Sequence, residues 1–419
     1  METEHIELLA PAGSFETLQT AIDAGADAIY FGIDDFNMRA TAAANFKLED
    51  LQEVTRRCKR KGVKTYITLN TLLYDEELDR MRKIVEGAER YKIDAIIASD
   101  MATIQYARSQ NIEVHISTQM SISNSESLKF YSQFSDRVVL ARELSLKQVE
   151  GIVKQIEAQN IKGPKGKLIE VEVFAHGALC VAVSGRCGMS MYCYNTSANR
   201  GKCSQMCRRE YKVTDLSSGK ELVVDNNYIM SSADLCTIGM LPGLVKTGIK
   251  VLKFEGRGRS PEYVDTVIRT YKEALQAIED RTYSQELVKK WNQELKTVFN
   301  RGFTQNFYMG RKINEWAGVY GSKATQERTH IGIIERYYPK IGVAQARIQA
   351  KDQFQIGDKY IITGPTTGLA RGKIESMLKD EKAIQMATQG EVITFKISKK
   401  VRKNDLLYVL RHRPTHGDY

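Results

Sequence analysis

The sequence lacks any apolar run long enough to cross a membrane, since none approaches the ~20 residues that a spanning helix needs. Mean hydropathy is also negative, at -0.37. The acidic N-terminal residues lead directly into an apolar segment, without the basic region, long apolar core or small-residue cleavage site of an export signal. These absences predict a soluble, cytoplasmic protein with no membrane partner.

Motifs of common hydrolases and nucleotide-binding enzymes are missing as well. No H-E-x-x-H and no G-x-S-x-G occurs, and the six histidines are scattered along the chain, which disfavours a zinc or serine hydrolase. The first strand-like segment is followed by Ala-Pro-Ala-Gly-Ser, a plain turn into a helix. This turn disfavours a glycine-rich phosphate-binding loop and the open nucleotide-binding sheet that uses one.

Cysteine, in contrast, is concentrated in one place. Five of the seven cysteines lie within 28 residues: Cys180, Cys187, Cys193, Cys203 and Cys207. Thiols this close are disulfide-bonded, metal-bound or redox-active, and a reducing cytosol disfavours stable disulfides. No C-x2-C pair occurs, which argues against a zinc knuckle, whereas wide spacing with sulfur ligands alone is compatible with a 4Fe-4S cluster on four thiolates. Four-thiolate zinc, a redox switch and inert thiols remain alternatives.

The length and the charge of the chain indicate more than one domain. With 419 residues the chain exceeds what one ordinary core supports. The formal net charge is +10, and residues 331–419 alone contain 16 Lys and Arg against 9 Asp and Glu. A basic excess of this kind favours a polyanionic partner, while a solvated lysine-rich surface is the alternative.

The first 280 residues alternate short apolar runs with amphipathic helical stretches. This rhythm is typical of parallel βαβ units, and eight units indicate a closed (β/α)8 barrel; a doubly wound open sheet is the alternative. We therefore predict an α/β fold in which residues 1–300 form a TIM-barrel-like catalytic domain. The eight predicted strands are residues 7–10, 26–32, 64–69, 95–98, 113–117, 137–140, 169–174 and 251–254.

The carboxyl ends of these strands predict where chemistry takes place. In such a barrel the active site lies at the end where the strands finish. Residues 176–210, called the cysteine-rich loop below, follow the seventh strand and belong at that end. The other polar residues there are Asn70, Ser99, Asp100, Ser117, Thr118, Gln119, Arg142, Glu143, His176, Lys253, Glu255, Arg257 and Arg259. Each of them alone could equally be a cap or a hydrogen-bonded core residue.

The pattern changes after residue 300. Residues 301–330 are rich in Gly, Asn and Gln and read as a linker. From residue 331 to residue 419, short alternating strands are separated by Gly and Asp turns, which predicts a small C-terminal β-barrel. Such barrels often contact RNA or partner proteins, so this domain is a candidate RNA-contacting domain.

Several segments together resemble the peptidase U32 family. Residues 172–180 (EVFAHGALC), 184–187 (SGRC) and 201–208 (GKCSQMCR) are similar to its signature. Residues 7–13 (ELLAPAG), 232–235 (SADL) and 253–257 (KFEGR) resemble further family blocks. The resemblance covers essentially the whole chain.

The resemblance implies a TIM-barrel-like domain with a 4Fe-4S cluster, which iron–sulfur assembly machinery would supply, and hydroxylation without molecular oxygen. The branch that the chain resembles most comprises the tRNA hydroxylation proteins, which depend on prephenate and convert the wobble uridine of tRNA to 5-hydroxyuridine. Other branches hydroxylate ribosomal RNA or a ubiquinone precursor, but length and the basic C-terminal part favour tRNA. The family name leaves a collagenase-like peptidase as an alternative, and a non-catalytic RNA-binding module is a third.

The resemblance also assigns residues to roles. The cluster ligands would be Cys180, Cys187, Cys203 and Cys207; Cys236 could replace Cys207, and Cys193 would be a free thiol. Cations around the cluster would bind the RNA phosphates, unless they form only a solvated basic loop. They are Arg200, Lys202, Arg208 and Arg209.

The remaining assignments concern the small co-substrate and the catalysed step. A dicarboxylate such as prephenate calls for bidentate cations, for which Arg142, Arg257 and Arg259 are candidates. Lys253, Asn70 and Gln119 complete the predicted substrate site. We expect His176 and Glu255 to move protons, so His176, Glu255 and Arg257 form the predicted catalytic set.

Overall fold

The computed structural model describes residues 5–41, 43–212, 214–221, 230–310, 315–319 and 321–413. Ten strands belong to the N-terminal part of the chain. They are β1 (Glu7–Pro11), β2 (Ala28–Gly32), β3 (Lys64–Leu69), β4 (Ala95–Ala98), β5 (Glu113–Ile116), β6 (Arg137–Val139), β7 (Glu170–Ala178), β8 (Asp234–Cys236), β9 (Val251–Phe254) and β10 (Phe303–Thr304).

Eight of these strands close into a parallel barrel. Strands β1 to β7 pair in sequence order, and β9 pairs in parallel with both β7 and β1. All eight runs that the sequence predicted as strands are barrel strands, so the predicted (β/α)8 fold class is confirmed. Their central residues are buried because side chains of parallel strands face the helices on one side and the barrel interior on the other.

Helices surround this barrel. The helices are α1 (Phe15–Ala24), α2 (Leu51–Lys59), α3 (Leu78–Arg90), α4 (Met101–Ser109), α5 (Ser125–Tyr131), α6 (Leu146–Ala158), α7 (Met189–Tyr194), α8 (Leu241–Lys246), α9 (Pro261–Glu279) and α10 (Gln285–Lys296). Local signals fix several of their ends. The Ser14 hydroxyl accepts the backbone N–H of Thr17 at the start of α1, and Gly25 ends that helix at a φ of 88°. No helix within the described residues has the length and apolar character that crossing a membrane requires.

The barrel is extended at its carboxyl end by two short strands. Strand β8 pairs antiparallel with the end of β7, and β10 pairs with β8. Strand β10 lies in the segment 301–330, which the sequence predicted as a linker. Trp316 of the same segment forms a β-bridge with Ser232, and β11 begins there at Gln326. The described part of this segment therefore packs on the barrel and continues into the next domain.

The C-terminal part of the chain consists of antiparallel sheets. One sheet has eight strands in the order β15-β14-β20-β11-β12-β19-β16-β17, and β13 pairs with β18. A separate apolar core that includes Ile331, Phe354 and Leu407 lies inside. The strands are β11 (Gln326–Tyr338), β12 (Val343–Ile348), β13 (Phe354–Gln355), β14 (Lys359–Gly364), β15 (Gly368–Lys373), β16 (Met377–Lys379), β17 (Lys382–Ile384), β18 (Met386–Ala387), β19 (Val392–Lys396) and β20 (Leu406–His412).

Ion pairs attach this C-terminal domain to the outer wall of the barrel. Strand β15 packs on α1 and α9. Lys399 Nζ lies 2.6 Å from Asp23 Oδ2 at the end of α1, and Arg371 forms an ion pair with Asp265 on α9. Part of the positive charge of residues 331–419 is therefore used in docking to the barrel.

Candidate active site

A cavity of about 220 Å³ opens at the carboxyl end of the barrel strands. Strands β2, β3, β6, β7 and β9, or the loops that follow them, contribute to its wall, and the cysteine-rich loop covers it. The chemically functional lining residues are Tyr30, Arg39, Thr68, Asn70, Ser117, Gln119, Arg142, Cys180, Cys187, Cys203, Cys207, Arg208, Lys253, Glu255, Arg257, Arg259 and Arg301. Most of the predicted site residues thus meet in one enclosed space.

Four thiols line this cavity: Cys180, Cys187, Cys203 and Cys207. Burial raises the pKa of Cys207, and the neighbouring thiols of Cys180, Cys203 and Cys187 raise it further, while Arg208 opposes them. The four sulfur atoms are thus close enough for their charges to interact. They are the same four that the sequence predicted as cluster ligands.

The other two candidates lie outside the cavity lining. Cys236 is buried behind β7, where Tyr271 Oη lies 3.9 Å from its sulfur, and burial raises its pKa to about 11. Cys193 is exposed on α7. Because Cys236 lies outside the cavity that the other four thiols line, the geometry favours Cys207 over Cys236.

As the side chains stand, no group of three or more His, Cys, Asp or Glu residues among those described could hold a metal ion. The donor chemistry still suits a cluster, because the four thiols line one cavity and Cys180 is exposed at its edge. Cluster binding would therefore require the cysteine-rich loop to draw its thiols together.

Specific contacts fix this loop on the barrel. Arg208 donates to the carbonyl oxygens of Leu179, at 2.6 Å, and of Ser232. The Glu143 carboxylate accepts the backbone N–H of Ser184 at 2.7 Å. Gly201 has a φ of 82°, and a Cβ there would lie 2.3 Å from the Asn37 carbonyl oxygen, so only glycine lets the loop approach so closely. Arg208, predicted to bind RNA, is thus a structural clamp of the loop.

The cavity is strongly cationic. Seven of its described lining residues are cationic, and Glu255 is their only carboxylate. Burial would raise the pKa of Glu255, but the charges of Arg39, Arg142 and Arg257 lower it to about 2. Glu255 is therefore a fixed anion that binds Arg39, with Arg39 Nε 3.0 Å from Glu255 Oε1. This pKa makes Glu255 a poor proton carrier near neutral pH, which weighs against the predicted catalytic role.

Two of the cations have unused hydrogen-bond donors. Arg257 is 4% exposed, and its Nη1 donates to Asn37 Oδ1 and to Thr68 Oγ1, each at 2.8 Å. Arg142 stacks on the ring of Phe174 at 3.6 Å and donates from Nη1 to the Ala178 carbonyl oxygen. The Nε atoms of both are buried and have no partner. Because an unmade buried hydrogen bond is costly, these donors point to an anionic ligand.

Lys253 is the lysine of this cavity. Its Nζ lies 2.6 Å from Glu172 Oε1, and Glu172 is fully buried. Burial lowers the pKa of Lys253, while Glu172 opposes that shift. Its ammonium group also lies 4.6 Å from the centre of the Tyr30 ring. Burial thus favours the neutral form of Lys253, and Glu172 favours its ammonium form.

Asn70 and Gln119 form a neutral polar wall. Asn70 Nδ2 donates to Ser117 Oγ at 3.1 Å and to Gln119 Oε1 at 3.3 Å. Arg259, in contrast, stacks on Phe299 at 3.5 Å, and burial lowers its pKa. The structure thus brings the predicted substrate residues Asn70, Gln119, Arg142, Lys253 and Arg259 to one cavity.

The structure does not bring His176 into the cavity. Its ring packs against Tyr271 and Phe303 on the outer side of the barrel, and burial lowers its pKa to about 3. The pairing of β7 with β9 shifts register between Phe174 and His176. Because an extra residue in one strand reverses the alternation of sides, His176 faces outwards although Phe174 faces the cavity. A neutral, enclosed histidine is not positioned to exchange protons with a substrate.

The remaining predicted RNA-binding cations lie outside the cavity. Arg200 makes a bidentate ion pair with Glu77, at 2.9 and 2.7 Å, and its guanidinium lies 3.8 Å from the Tyr74 ring centre. Lys202 and Arg209 are exposed, and neither forms an ion pair with a described residue. Two of the four predicted cations are therefore free to bind a partner.

Sequence reasoning missed four groups of the site: Arg39, Arg301, Tyr30 and Glu172. Arg39 lies in the long loop after β2, and Arg301 follows α10, where it pairs with Asp234 at 3.3 Å. Neither is next to the end of a barrel strand in sequence. Tyr30 and Glu172 lie within strands. Because successive side chains of a strand point to opposite faces, their positions in the strands could have indicated that they face the barrel interior.

Comparisons with known proteins agree with this architecture. A sequence model of peptidase family U32 matches residues 13–318. A protein named collagenase from Porphyromonas gingivalis W83 is 48% identical over 97% of this chain and 98% of its own length. The tRNA hydroxylation protein P1 of Bacillus subtilis is 30% identical over 97% of this chain and 95% of its own length.

A third relative acts on a different RNA according to its name. The 23S rRNA 5-hydroxycytidine synthase of Escherichia coli is 34% identical over 74% of this chain and 46% of its own length. RNA-modifying hydroxylases and proteins named collagenase thus both resemble this chain. The family model covers more than half of the chain, and the chain therefore belongs to peptidase family U32.

Proposed function

We propose that this protein hydroxylates the wobble uridine of tRNA to 5-hydroxyuridine without molecular oxygen, with a 4Fe-4S cluster and prephenate as co-substrate. The observation that carries the proposal is the single cavity in which four cysteines and seven cations meet at the end of the barrel strands. A cavity of this kind suits an anionic co-substrate beside a sulfur-ligated group. RNA hydroxylases among the relatives support the same reaction class.

Cys180, Cys187, Cys203 and Cys207 would hold the cluster, which iron–sulfur assembly machinery delivers. When bound, a cluster supplies a route for electrons at the edge of the substrate cavity. The cysteine-rich loop, which carries the four thiols, closes the cavity. Arg208 holds this loop against the end of β7. Enclosure excludes water from the reacting base.

The co-substrate would bind through its carboxylates. Arg142 and Arg257 have one unpartnered buried Nε–H each, and both lie in the cavity wall. Charge-assisted hydrogen bonds from guanidinium to carboxylate are among the strongest available to a protein. Glu255 stays ionised and holds Arg39 in place. Prephenate, a dicarboxylate, matches this pair of donors.

The uracil base would lie against the neutral wall of Asn70 and Gln119, whose amides can meet its polar edge. If water supplies the hydroxyl oxygen, replacing C5–H by C5–OH releases two protons and two electrons, and the electrons would leave through the cluster to an external acceptor. Lys253 Nζ is the lining group best suited to accept the proton from C5, since burial lowers its pKa and Glu172 Oε1 can stabilise the ammonium form. His176 has no part in this scheme.

Transfer RNA is favoured over ribosomal RNA by the extent of the similarity. The tRNA hydroxylation protein aligns over 95% of its own length with this chain, whereas the rRNA hydroxycytidine synthase aligns over 46% of its own. The chain thus matches the first relative end to end and the second only in part.

The test uses anaerobically purified full-length protein. We expect visible absorption typical of a 4Fe-4S cluster, about four iron and four sulfide per chain, and 5-hydroxyuridine in unmodified tRNA after incubation with prephenate and an electron acceptor. Cys180→Ala abolishes both signals, and Cys193→Ala, on α7 outside the cavity, retains them. Hydroxylation by the cluster-free Cys180→Ala protein would contradict the proposal.

A peptidase is the second candidate, because a relative that is 48% identical bears the name collagenase. The described cavity lining contains no histidine, and its carboxylate Glu255 is ionised and bound to Arg39. No serine or cysteine of the described lining therefore has a histidine or a free carboxylate as its general base. Cleavage of gelatin or collagen peptide by the purified protein, lost in Arg257→Met and kept in Cys193→Ala, would instead support the peptidase.

A further inference from the structure

Exposed apolar side chains cluster around the mouth of the cavity. Tyr192 on α7 is 93% exposed, although a tyrosine ring normally packs. Its neighbours in the loops around the mouth are also exposed, between 47% and 64%. We call this set the aromatic rim: Leu72, Tyr74, Val183, Met191, Tyr192 and Tyr194.

The two loops that carry the aromatic rim are tied together. The backbone N–H of Leu72 donates to the Asn199 carbonyl oxygen, and Arg200 Nη1 donates to that of Leu72 at 3.3 Å. The backbone N–H of Ser204 donates to Ser190 Oγ at 3.0 Å, which joins α7 to a later part of the cysteine-rich loop. The rim is therefore one continuous surface above the cavity.

Cations alternate with the rings of this surface. The Arg200 guanidinium lies over Tyr74, and that of Arg209 lies 5.5 Å from the Tyr194 ring centre. Lys202 lies between these two arginines in sequence and is exposed. Arg200 is paired with Glu77, but Lys202 and Arg209 have no described ion-pair partner. Aromatic rings beside such cations suit a strand of unpaired nucleotides, since every base has a face that can stack and every linkage carries a negative charge. A duplex, whose bases are already stacked, would leave the rings unused.

We infer that the aromatic rim is the docking surface for a single-stranded RNA loop. Tyr192 stacks on a nucleotide next to the target base, and Lys202 and Arg209 contact the adjacent phosphates. The target base itself is turned into the cavity below. This inference rests on the proposed function, and it assigns the recognition of unpaired nucleotides to the rim rather than to the C-terminal domain.

Ion pairs also use part of the positive charge of the C-terminal domain. Arg371 and Lys399 pair with Asp265 and Asp23 of the barrel wall. Within the domain, Arg347 pairs with Glu335 and Lys379 with Glu391. Two of the seven excess positive charges of residues 331–419 are thus compensated by the barrel, whereas Lys202 and Arg209 beside the rim have no described ion-pair partner.

The experiment measures binding of unmodified tRNA, and of its anticodon stem-loop, to the full-length protein by fluorescence anisotropy over a range of salt concentrations. Tyr192→Ala weakens both affinities roughly 5- to 150-fold with the salt dependence unchanged, because stacking is not electrostatic. Tyr192→Phe keeps the ring and the affinity. Lys202→Ala and Arg209→Ala each weaken the salt dependence, so that the negative slope of log K against log salt becomes less steep by about 0.7. Ile341→Ala, a matched exposed site in the C-terminal domain, binds as the wild type does.

Two outcomes would overturn the inference. In the first, Tyr192→Ala binds tRNA as tightly as the wild type, while alanine at Lys351, Lys382 and Lys400 of the C-terminal domain weakens binding. In the second, the wild-type protein binds a collagen peptide but not RNA, and Tyr192→Ala weakens the binding of that peptide. The hydroxylation assay separates this inference from the proposed function. If the Tyr192→Ala protein keeps both its RNA affinity and its hydroxylation activity, only the docking role of the rim is contradicted. If the wild-type protein binds tRNA tightly but forms no 5-hydroxyuridine, only the proposed function is contradicted.

Discussion

The two ends of the barrel differ in how completely their buried charges are paired. At the amino end, Glu7 accepts from Arg137 Nη1 at 2.6 Å, from Lys64 Nζ at 2.9 Å and from Tyr66 Oη at 3.0 Å, and Arg137 also binds Glu170. Each of these charges has an opposite partner. At the carboxyl end, three of the seven described lining cations have a carboxylate partner: Arg39 pairs with Glu255, Lys253 with Glu172 and Arg301 with Asp234. The other four have none among the described residues.

The difference separates stability from function. A buried charge that loses its partner is strongly destabilising, so the paired set at the amino end supports the fold. Uncompensated cations at the carboxyl end repel one another, and burial lowers the pKa of Arg257 to about 10. Conditions that affect one end should therefore leave the other unchanged.

Removing a thiol from the carboxyl end should have the largest effect on activity. We expect Cys180→Ala to lose the iron, the sulfide and all tRNA hydroxylation. Its urea midpoint should stay near that of cluster-free wild-type protein, because Cys180 is exposed. Metal analysis and nucleoside analysis measure the first result, and tryptophan fluorescence measures the second. Unfolding of the variant would show that the thiol serves the fold.

Breaking the amino end should have the largest effect on stability. Arg137→Met leaves Glu7 buried with only Lys64 and Tyr66, so we expect a loss of about 3–5 kcal/mol in the free energy of unfolding. Arg82→Met, which removes an exposed pair with Asp79, should cost at most about 1 kcal/mol. Urea unfolding followed by Trp291, a buried barrel residue, measures both. Equal losses in the two variants would contradict the proposed division.

Acid should weaken the amino end through Glu7. Burial would raise the pKa of Glu7, but Arg137 and Lys64 lower it from 4.5 to about 2. Because the folded pKa is the lower one, its stabilisation is complete above pH 4.5 and disappears as the pH falls towards 2, a loss of about 3 kcal/mol. Glu7→Gln should therefore flatten the stability profile between these pH values. Urea unfolding midpoints of the wild type and of Glu7→Gln, measured between pH 2 and pH 4.5, test this prediction.

The matched change at the carboxyl end is Glu255→Gln. The pKa of Glu255 also lies at about 2, so its acid dependence should flatten in the same range. At neutral pH, however, folded Glu7→Gln should hydroxylate tRNA normally, whereas Glu255→Gln releases Arg39 and should lose activity. Equal activity in both variants would remove the distinction between the two ends.

Arg257 should set the affinity for the proposed co-substrate. We expect Arg257→Met to raise the KM for prephenate about 10- to 100-fold, the equivalent of about 1.5–3 kcal/mol for a hydrogen bond to a charged group. Its stability should change little, because the lost hydrogen bonds to Asn37 and Thr68 are offset by the removal of one of several repelling cations. Steady-state kinetics give the KM, and Lys290→Met on the outer helix α10 serves as the control. An unchanged KM would exclude Arg257 as the anchor.

The barrel and the position of its site could be predicted from the sequence because both depend on local patterns. Eight apolar runs separated by helices define the strands, and a polar residue just after a strand lies at the carboxyl end. His176 shows where this logic fails. The bulge in β7 depends on pairing with β9, about 80 residues away, and only that pairing turns the ring outwards.

Partnerships between distant residues were beyond sequence reasoning for the same reason. Arg200 and Arg208 looked free, yet one binds Glu77 and the other binds backbone carbonyls at the ends of β7 and β8. Arg39 and Arg301 reach the cavity from a long loop and from a segment taken for a linker. Charge counts predict a basic protein, but only folding decides which charges remain uncompensated.

The smallest effect should come from Cys236, the sixth thiol near the site. Its sulfur lies behind β7, next to Tyr271 and Asn292 and outside the cavity. Cys236→Ala should cost about 1 kcal/mol through lost packing and should keep its iron, its sulfide and its activity. Cys207→Ala should lose all three at little cost in stability. The reverse result would make Cys236 a ligand, and would require β8 to separate from β7 so that its thiol could reach the other three.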